Sequence, residues 1–99
     1  MSSKKLFPIG TIVEVEGLAP RFMIIGHLQK QADTEKVWDY AAVPFPVGLL
    51  DPDKFLLFNH EKIILLHFIG LQDRESLEYM KSLYYQINNI EPPKNGTNG

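Results

Sequence analysis

Three histidines, His27, His60 and His67, and five of the twelve carboxylates, Asp39, Asp51, Asp53, Glu61 and Asp73, are the side chains of this 99-residue chain to weigh first for chemistry. Imidazoles and carboxylates are ligands for zinc, which takes three or four of them converging as a tetrahedron. No H-x-x-x-H pair sets two imidazoles on one helical face, and the chain has no cysteine. His67 alternates with Leu66 and Phe68, the position of an outward-facing strand residue. General acid–base catalysis needs two groups with separated pKa values converging on a cleft, and no carboxylate spacing marks such a pair. Asp51-Pro52-Asp53 reads as turn chemistry, because Asp side chains bond nearby backbone N–H groups. Ser2, Ser3, Ser76 and Ser82 lie on a tail or a helix without a G-x-S-x-G elbow. Gly10 and Gly17 belong to no phosphate-binding glycine motif. The expectation is a protein without a metal, a cofactor or catalytic residues.

The aromatic residues point elsewhere. Phe22, Trp38, Tyr40 and Phe45 form a candidate stacking platform of the kind that small nucleic-acid-binding barrels use. Ten Lys+Arg against twelve Asp+Glu give a net charge of −2, and only Lys4, Lys5 and Arg21 lie near the platform in sequence. A phosphate-tracking groove needs a basic surface, so nucleic acid is disfavoured. Tyr79, Tyr84 and Tyr85 cannot all face a core together with Leu77, Met80 and Ile87. Outward tyrosines suit a protein interface, where they bury much area at low entropic cost; the plainer reading is that they clothe a small core. Trp38, Tyr40, Phe45, Val47, Tyr79 and Tyr85 are therefore candidate partner-binding residues.

The elements that must position these residues follow from periodicity. Residues 10–17 read as a strand with Thr11, Val13 and Val15 inward. A second strand over 21–28 contains the continuous apolar run Phe22-Met23-Ile24-Ile25, which predicts cover on both faces, and Gly26, which predicts a bulge. The two strands should pair as an antiparallel hairpin. Residues 29–36 form a polar exposed loop, and strand character resumes over 37–43. Pro44-Phe45-Pro46-Val47-Gly48 is stiff and short of backbone donors, so it cannot be central in a sheet. A short fourth strand spans 55–58, an exposed edge that could pair with a second copy as a homodimer. Asn59-His60-Glu61-Lys62 is a tight turn or one helical turn capped by Asn59. A fifth, largely buried strand covers 63–69.

Asp73 then caps one helix whose apolar face holds Leu77, Met80, Leu83, Tyr84, Ile87 and Ile90, and Pro92-Pro93 ends it. The fold class is α+β: a small twisted antiparallel sheet of about five strands, or a half-open barrel, with a C-terminal helix. A chain this short, 44% hydrophobic, holds one core and one domain. Residues 1–5 are expected to be flexible, 6–91 to form the domain, and 92–99 to be a disordered tail. Between Lys5 and Pro8 stand only Leu6 and Phe7, too little for a signal-peptide core, and no apolar run approaches a membrane span. The expected compartment is the cytoplasm, without membrane insertion.

Several segments together resemble a small Firmicutes domain family of unknown function. Leu6-Phe7-Pro8-Ile9-Gly10-Thr11-Ile12-Val13 is similar to its "LPIGTVV" opening. Phe22-Met23-Ile24-Ile25-Gly26-His27-Leu28-Gln29 is similar to "kLMIIGRLQ", and Trp38-Asp39-Tyr40 with Pro44-Phe45-Pro46-Val47-Gly48-Leu49 to "yDYvgvpYPeGl". Phe58-Asn59-His60-Glu61-Lys62-Ile63 resembles "FNHEdI", and Phe68-Ile69-Gly70-Leu71-Gln72-Asp73 resembles "FeGYqDeee". The likeness runs from residue 6 to about 85 and departs at His27, where Arg is usual, at Val47, where Glu is usual, and at Leu71, where an aromatic is usual. Members of the family occur beside type VII (ESX-type) secretion loci and genes for LXG toxins. The resemblance implies an accessory, targeting or chaperone-like protein that binds an LXG-type toxin or a secretion component; a toxin-immunity protein is the alternative within that setting. The Pro-Phe-Pro-Val-Gly loop and the turn carrying Asn59 and His60 are the expected contact points, because rigid exposed loops on a sheet often carry binding. The plainer reading makes both fold-defining turns.

Overall fold

Thr11, Val13 and Val15 are all buried, and between them Ile12 and Glu14 turn to the other face. This alternation makes β1 (Ile12–Val15) the strand over which the core assembles. A computed structural model describes residues 4–91 of the chain. It adds β2 (Arg21–Lys30), β3 (Val37–Phe45), β4 (Leu56–Phe58), a 3-10 turn at His60–Lys62, β5 (Ile63–Phe68) and α1 (Arg74–Ile87). The five strands form one antiparallel sheet in the order β4-β3-β2-β1-β5. The sheet is open, with β4 and β5 as its edges, and is not closed into a barrel. The core joins Leu6, Val13, Val15, Phe22, Ile24, Tyr40, Ala42 and Phe58, with Met80 and Ile87 of α1 packed against it.

β1 and β2 pair as the expected hairpin. In β2 the register against β3 slips between Ile24 and Gly26, which makes Ile25 the extra residue of a bulge. The bulge corrects the expectation of cover on both faces: Ile24 is fully buried, whereas Ile25 is 41% exposed. Pro44 and Phe45 extend β3, paired with Phe22 and Arg21, without being central in the sheet. β4 reaches only Tyr40, Ala41 and Ala42, so at Pro44 β3 is locally an edge and the missing N–H leaves no ladder broken on that side.

The largest correction concerns β5. Its apolar run predicted a buried strand, but it lies at the edge of the sheet, and every residue from Ile64 to Phe68 is exposed. Gly70, just beyond, is buried; its N–H donates to Thr11 Oγ1 at 3.0 Å, and a Cβ there would fall on the carbonyl oxygen of Ile9.

α1 starts where expected. Asp73 Oδ1 accepts the Ser76 N–H at 2.9 Å, and Glu75 sits in the first turn beside the positive end of the helix dipole. It ends before the prolines. Asn89 adopts φ +54°, and the Ile90 N–H folds back onto the Tyr85 carbonyl, a left-handed stop. Leu83 is buried and Met80, Tyr84 and Ile87 are half-buried, but Leu77 and Ile90 of the expected apolar face are exposed. Pro92-Pro93 and the tail over 92–99 lie outside the described residues, as do residues 1–3. At Lys4 the chain is already tied: its N–H donates to Asn88 Oδ1 and its carbonyl accepts from Asn88 Nδ2, both at 2.8 Å.

Candidate functional site

The segment from Lys4 to Pro8 is held by polar side chains of β2, β3 and the end of α1. Tyr40 has no exposed surface, yet its hydroxyl accepts the Phe7 N–H at 2.8 Å and lies 2.6 Å from His60 Nδ1. The His27 ring lies 5.9 Å from the Tyr40 ring, centroid to centroid, and its Nε2 lies 2.7 Å from the Phe7 carbonyl oxygen. A carbonyl only accepts, so Nε2 carries the hydrogen. The remaining ring nitrogen, His27 Nδ1, is buried without a partner among the described residues. Phe7 is thus gripped through both backbone polar groups by side chains of β2 and β3.

A second layer fixes the 3-10 turn to β3. Asp39 Oδ2 accepts the His60 N–H and a hydrogen from Lys4 Nζ, each at 2.9 Å, and Lys4 Nζ also reaches Glu61 at 3.0 Å. Asn59 does not cap the turn with its side chain as expected. Its Oδ1 accepts the Asp39 N–H at 3.1 Å instead, because β3 offers a donor there.

The hub shifts its own titrations. Burial lowers the pKa of His27, against the opposing pull of the Phe7 carbonyl. Burial also lowers that of His60, with the Lys4 charge adding to the effect and Asp39 and Glu61 opposing it. The Tyr40 phenol is pushed far up, chiefly by burial. Burial works against the Lys4 ammonium, but the bonds to Asp39 and Glu61 outweigh it and the pKa rises. Lys4 in turn holds the Glu61 carboxyl below its ordinary value. His67 is remote from this hub, its Nε2 lying 2.7 Å from Glu14 Oε2. Among the described residues, no three His, Cys, Asp or Glu side chains are placed to share a metal ion.

Of the candidate contact residues, Tyr40, Asn59 and His60 meet in this hub and shape the fold. Trp38 is half-buried; its Nε1 donates to Gln31 Oε1 at 3.1 Å, and Lys36 Nζ sits 4.2 Å from its ring centroid, so it closes the loop between β2 and β3. Tyr79 is half exposed beside the His27 ring, and Tyr85 is half-buried edge-on to Tyr84. Phe45 is half-buried under the Arg21 guanidinium, 5.2 Å from its centroid, while Val47 stands exposed.

Val47 begins the most exposed apolar loop of the described chain. Between β3 and β4 the chain also exposes Leu49, Leu50 and Phe55, with Leu50 at 80%. The loop backbone is cross-bonded at both ends: the Gly48 N–H donates to the Pro44 carbonyl at 2.7 Å, the Lys54 N–H to the Asp51 carbonyl at 2.8 Å, and the Asp53 N–H to Asp51 Oδ1 at 3.0 Å. Sequence reasoning alone does not single out Leu49 and Leu50. The available signal was a pair of leucines between two turn-forming clusters, where no strand or helix gives them a core to face.

The chain is thus a small open-sheet α+β domain with a buried polar hub and a braced apolar loop. It belongs to the family described as a domain of unknown function (DUF4176), whose model matches residues 6–79. No curated protein and no solved structure matches it. Among the described residues, no helix is long and apolar enough to cross a membrane.

Proposed function

We propose that this chain is a non-enzymatic interaction protein, an accessory or chaperone-like partner of a toxin exported by a type VII (ESX-type) secretion system. The observation that carries the interaction role is the loop between β3 and β4. Four large apolar side chains, Val47, Leu49, Leu50 and Phe55, stand in water on a backbone that its own hydrogen bonds already order. Exposed apolar surface of this kind favours docking, and a preordered loop loses little entropy when it docks. The secretion setting rests on the ordered resemblance of segments between residues 6 and 85 to a family found beside such loci. Cytoplasmic residence, before export of the toxin, belongs to the same reading.

A nucleic-acid role fits less well. Phe22 and Tyr40, half of the supposed stacking platform, are buried and have no face for a base.

The test is calorimetric titration of the chain with the helical N-terminal domain of an LXG toxin and, separately, with the toxin's catalytic domain. The reading expects binding to the helical domain and at least a tenfold loss on Val47→Ser with Leu50→Ser, at unchanged thermal midpoint. Binding to the catalytic domain alone would replace it with the immunity reading. Equal affinity of wild type and variant would remove the loop from the interface.

A further inference from the structure

The geometry points to β5 as the seam of a symmetric dimer in which two copies join their sheets edge to edge. This inference is independent of the loop between β3 and β4. Among the described residues β5 pairs only with β1, so the backbone groups on its outer side have no strand partner there. Its residues Ile64, Leu65, Leu66 and Phe68 are exposed, as are Ile69 and Leu71 after it, with Ile64 at 60% and Leu71 at 73%.

Sheet edges are normally blunted by a charge, a proline, an outward bulge or shortness. The opposite edge is blunted: β4 has three residues, Phe58 among them buried, and Lys54 precedes it. β5 has six residues and no proline; its two register irregularities face β1, on its inner side.

A second copy is the occupant that this strand suits. Across a two-fold axis an antiparallel strand meets its own sequence, so any charge is brought near its twin. From Ile63 to Leu71 there is one titratable side chain, His67, and its Nε2 is held by Glu14 of the same chain. With the axis between Leu65 and Leu66, Leu65 faces Leu66, Ile63 faces Phe68, and no like charges are opposed. Six half-exposed apolar side chains per copy offer at most on the order of 1,000 Å² between two copies, the lower bound for a specific interface.

Sedimentation velocity on the full chain tests this, with the expectation of twice the 11.3 kDa of one chain. Leu66→Lys should sediment as a monomer with an unchanged far-ultraviolet circular dichroism spectrum. Because the chain has no cysteine, a nitroxide on Lys54→Cys reports only distances between copies and leaves β5 intact. Joined through β5, the two labels lie nine strand spacings apart, about 40 Å or more. A monomeric wild type at millimolar concentration would overturn the inference, as would a label distance near 20 Å, which marks a dimer through β4.

Discussion

The Tyr40 hydroxyl accepts the Phe7 N–H and lies 2.6 Å from His60 Nδ1, so one buried oxygen ties the N-terminal segment to the turn before β5. Neutral His60 leaves Nδ1 free to accept the phenol hydrogen, and both of the oxygen's roles are then filled. Tyr40→Phe keeps the ring in the core and strands both partners. Its expected cost is about 1–3 kcal/mol, the penalty for leaving buried polar groups unpaired. Urea unfolding reads it as a lower midpoint at unchanged slope, and a variant as stable as wild type would show that water replaces the hydroxyl.

Adjacent isoleucines test the bulge in β2. Ile24 is fully buried and Ile25 is 41% exposed, although regular alternation alone would not tell which of the two faces the core. Ile24→Ala should cost about 2–5 kcal/mol, the range for a buried aliphatic truncated to alanine. Ile25→Ala should stay within about 0.5 kcal/mol of wild type. Equal costs in paired denaturation curves would mean that Ile25 is covered in solution.

How much of this was legible in the sequence depends on range. The inward face of β1, the Gly26 bulge and the Asp73 cap are local, and each is written within a few residues. The hub is not local. Phe7, His27, Tyr40 and His60 are separated by up to 53 positions, and nothing in the spacing of an aromatic and two histidines announces a shared network. Tyr40 therefore read as a surface aromatic. β5 failed for another reason: an apolar run tells that a strand seeks cover, not where the sheet order places it. The exposed loop was half legible. Its prolines marked Phe45 and Val47, while Leu49 and Leu50 needed the fold to show that no core reaches them.

Two glycines separate lack of space from backbone strain. At Gly70 a Cβ would meet the Ile9 carbonyl, so Gly70→Ala must push two backbone segments apart and should cost about 2 kcal/mol or more. Gly17 has open space around it but φ +76°, and Gly17→Ala should cost about 1 kcal/mol, from the left-handed conformation alone. Thermal midpoints of the two variants, measured side by side, should rank Gly70→Ala well below Gly17→Ala. The reverse order would place the segment around Ile9 away from Gly70.

Stability should fall as the solution becomes mildly acidic, and the sign follows from the two hub histidines. His27 and His60 both titrate below the ordinary value of 6.5 in the folded chain. Above pH 6.5 they are neutral in folded and unfolded chains alike, and their contribution is fully present. As pH falls below 6.5 the unfolded ensemble takes up protons that the native hub excludes, and the equilibrium moves toward unfolding by up to about 1.4 kcal/mol per pH unit for each histidine. The physical reason is specific at each ring. A proton on His27 Nδ1 would sit buried with no acceptor, and one on His60 Nδ1 would face a hydroxyl that needs that nitrogen to accept. Glu61, held low by Lys4, adds its loss only below its ordinary 4.5. Urea midpoints between pH 8 and 5 should therefore be flat at the upper end and decline below about 6.5. His27→Gln keeps a donor for the Phe7 carbonyl and removes one titration, so its decline should be shallower. A wild-type profile that stays flat down to pH 5 would mean that the hub opens to water and the histidines are not buried in solution.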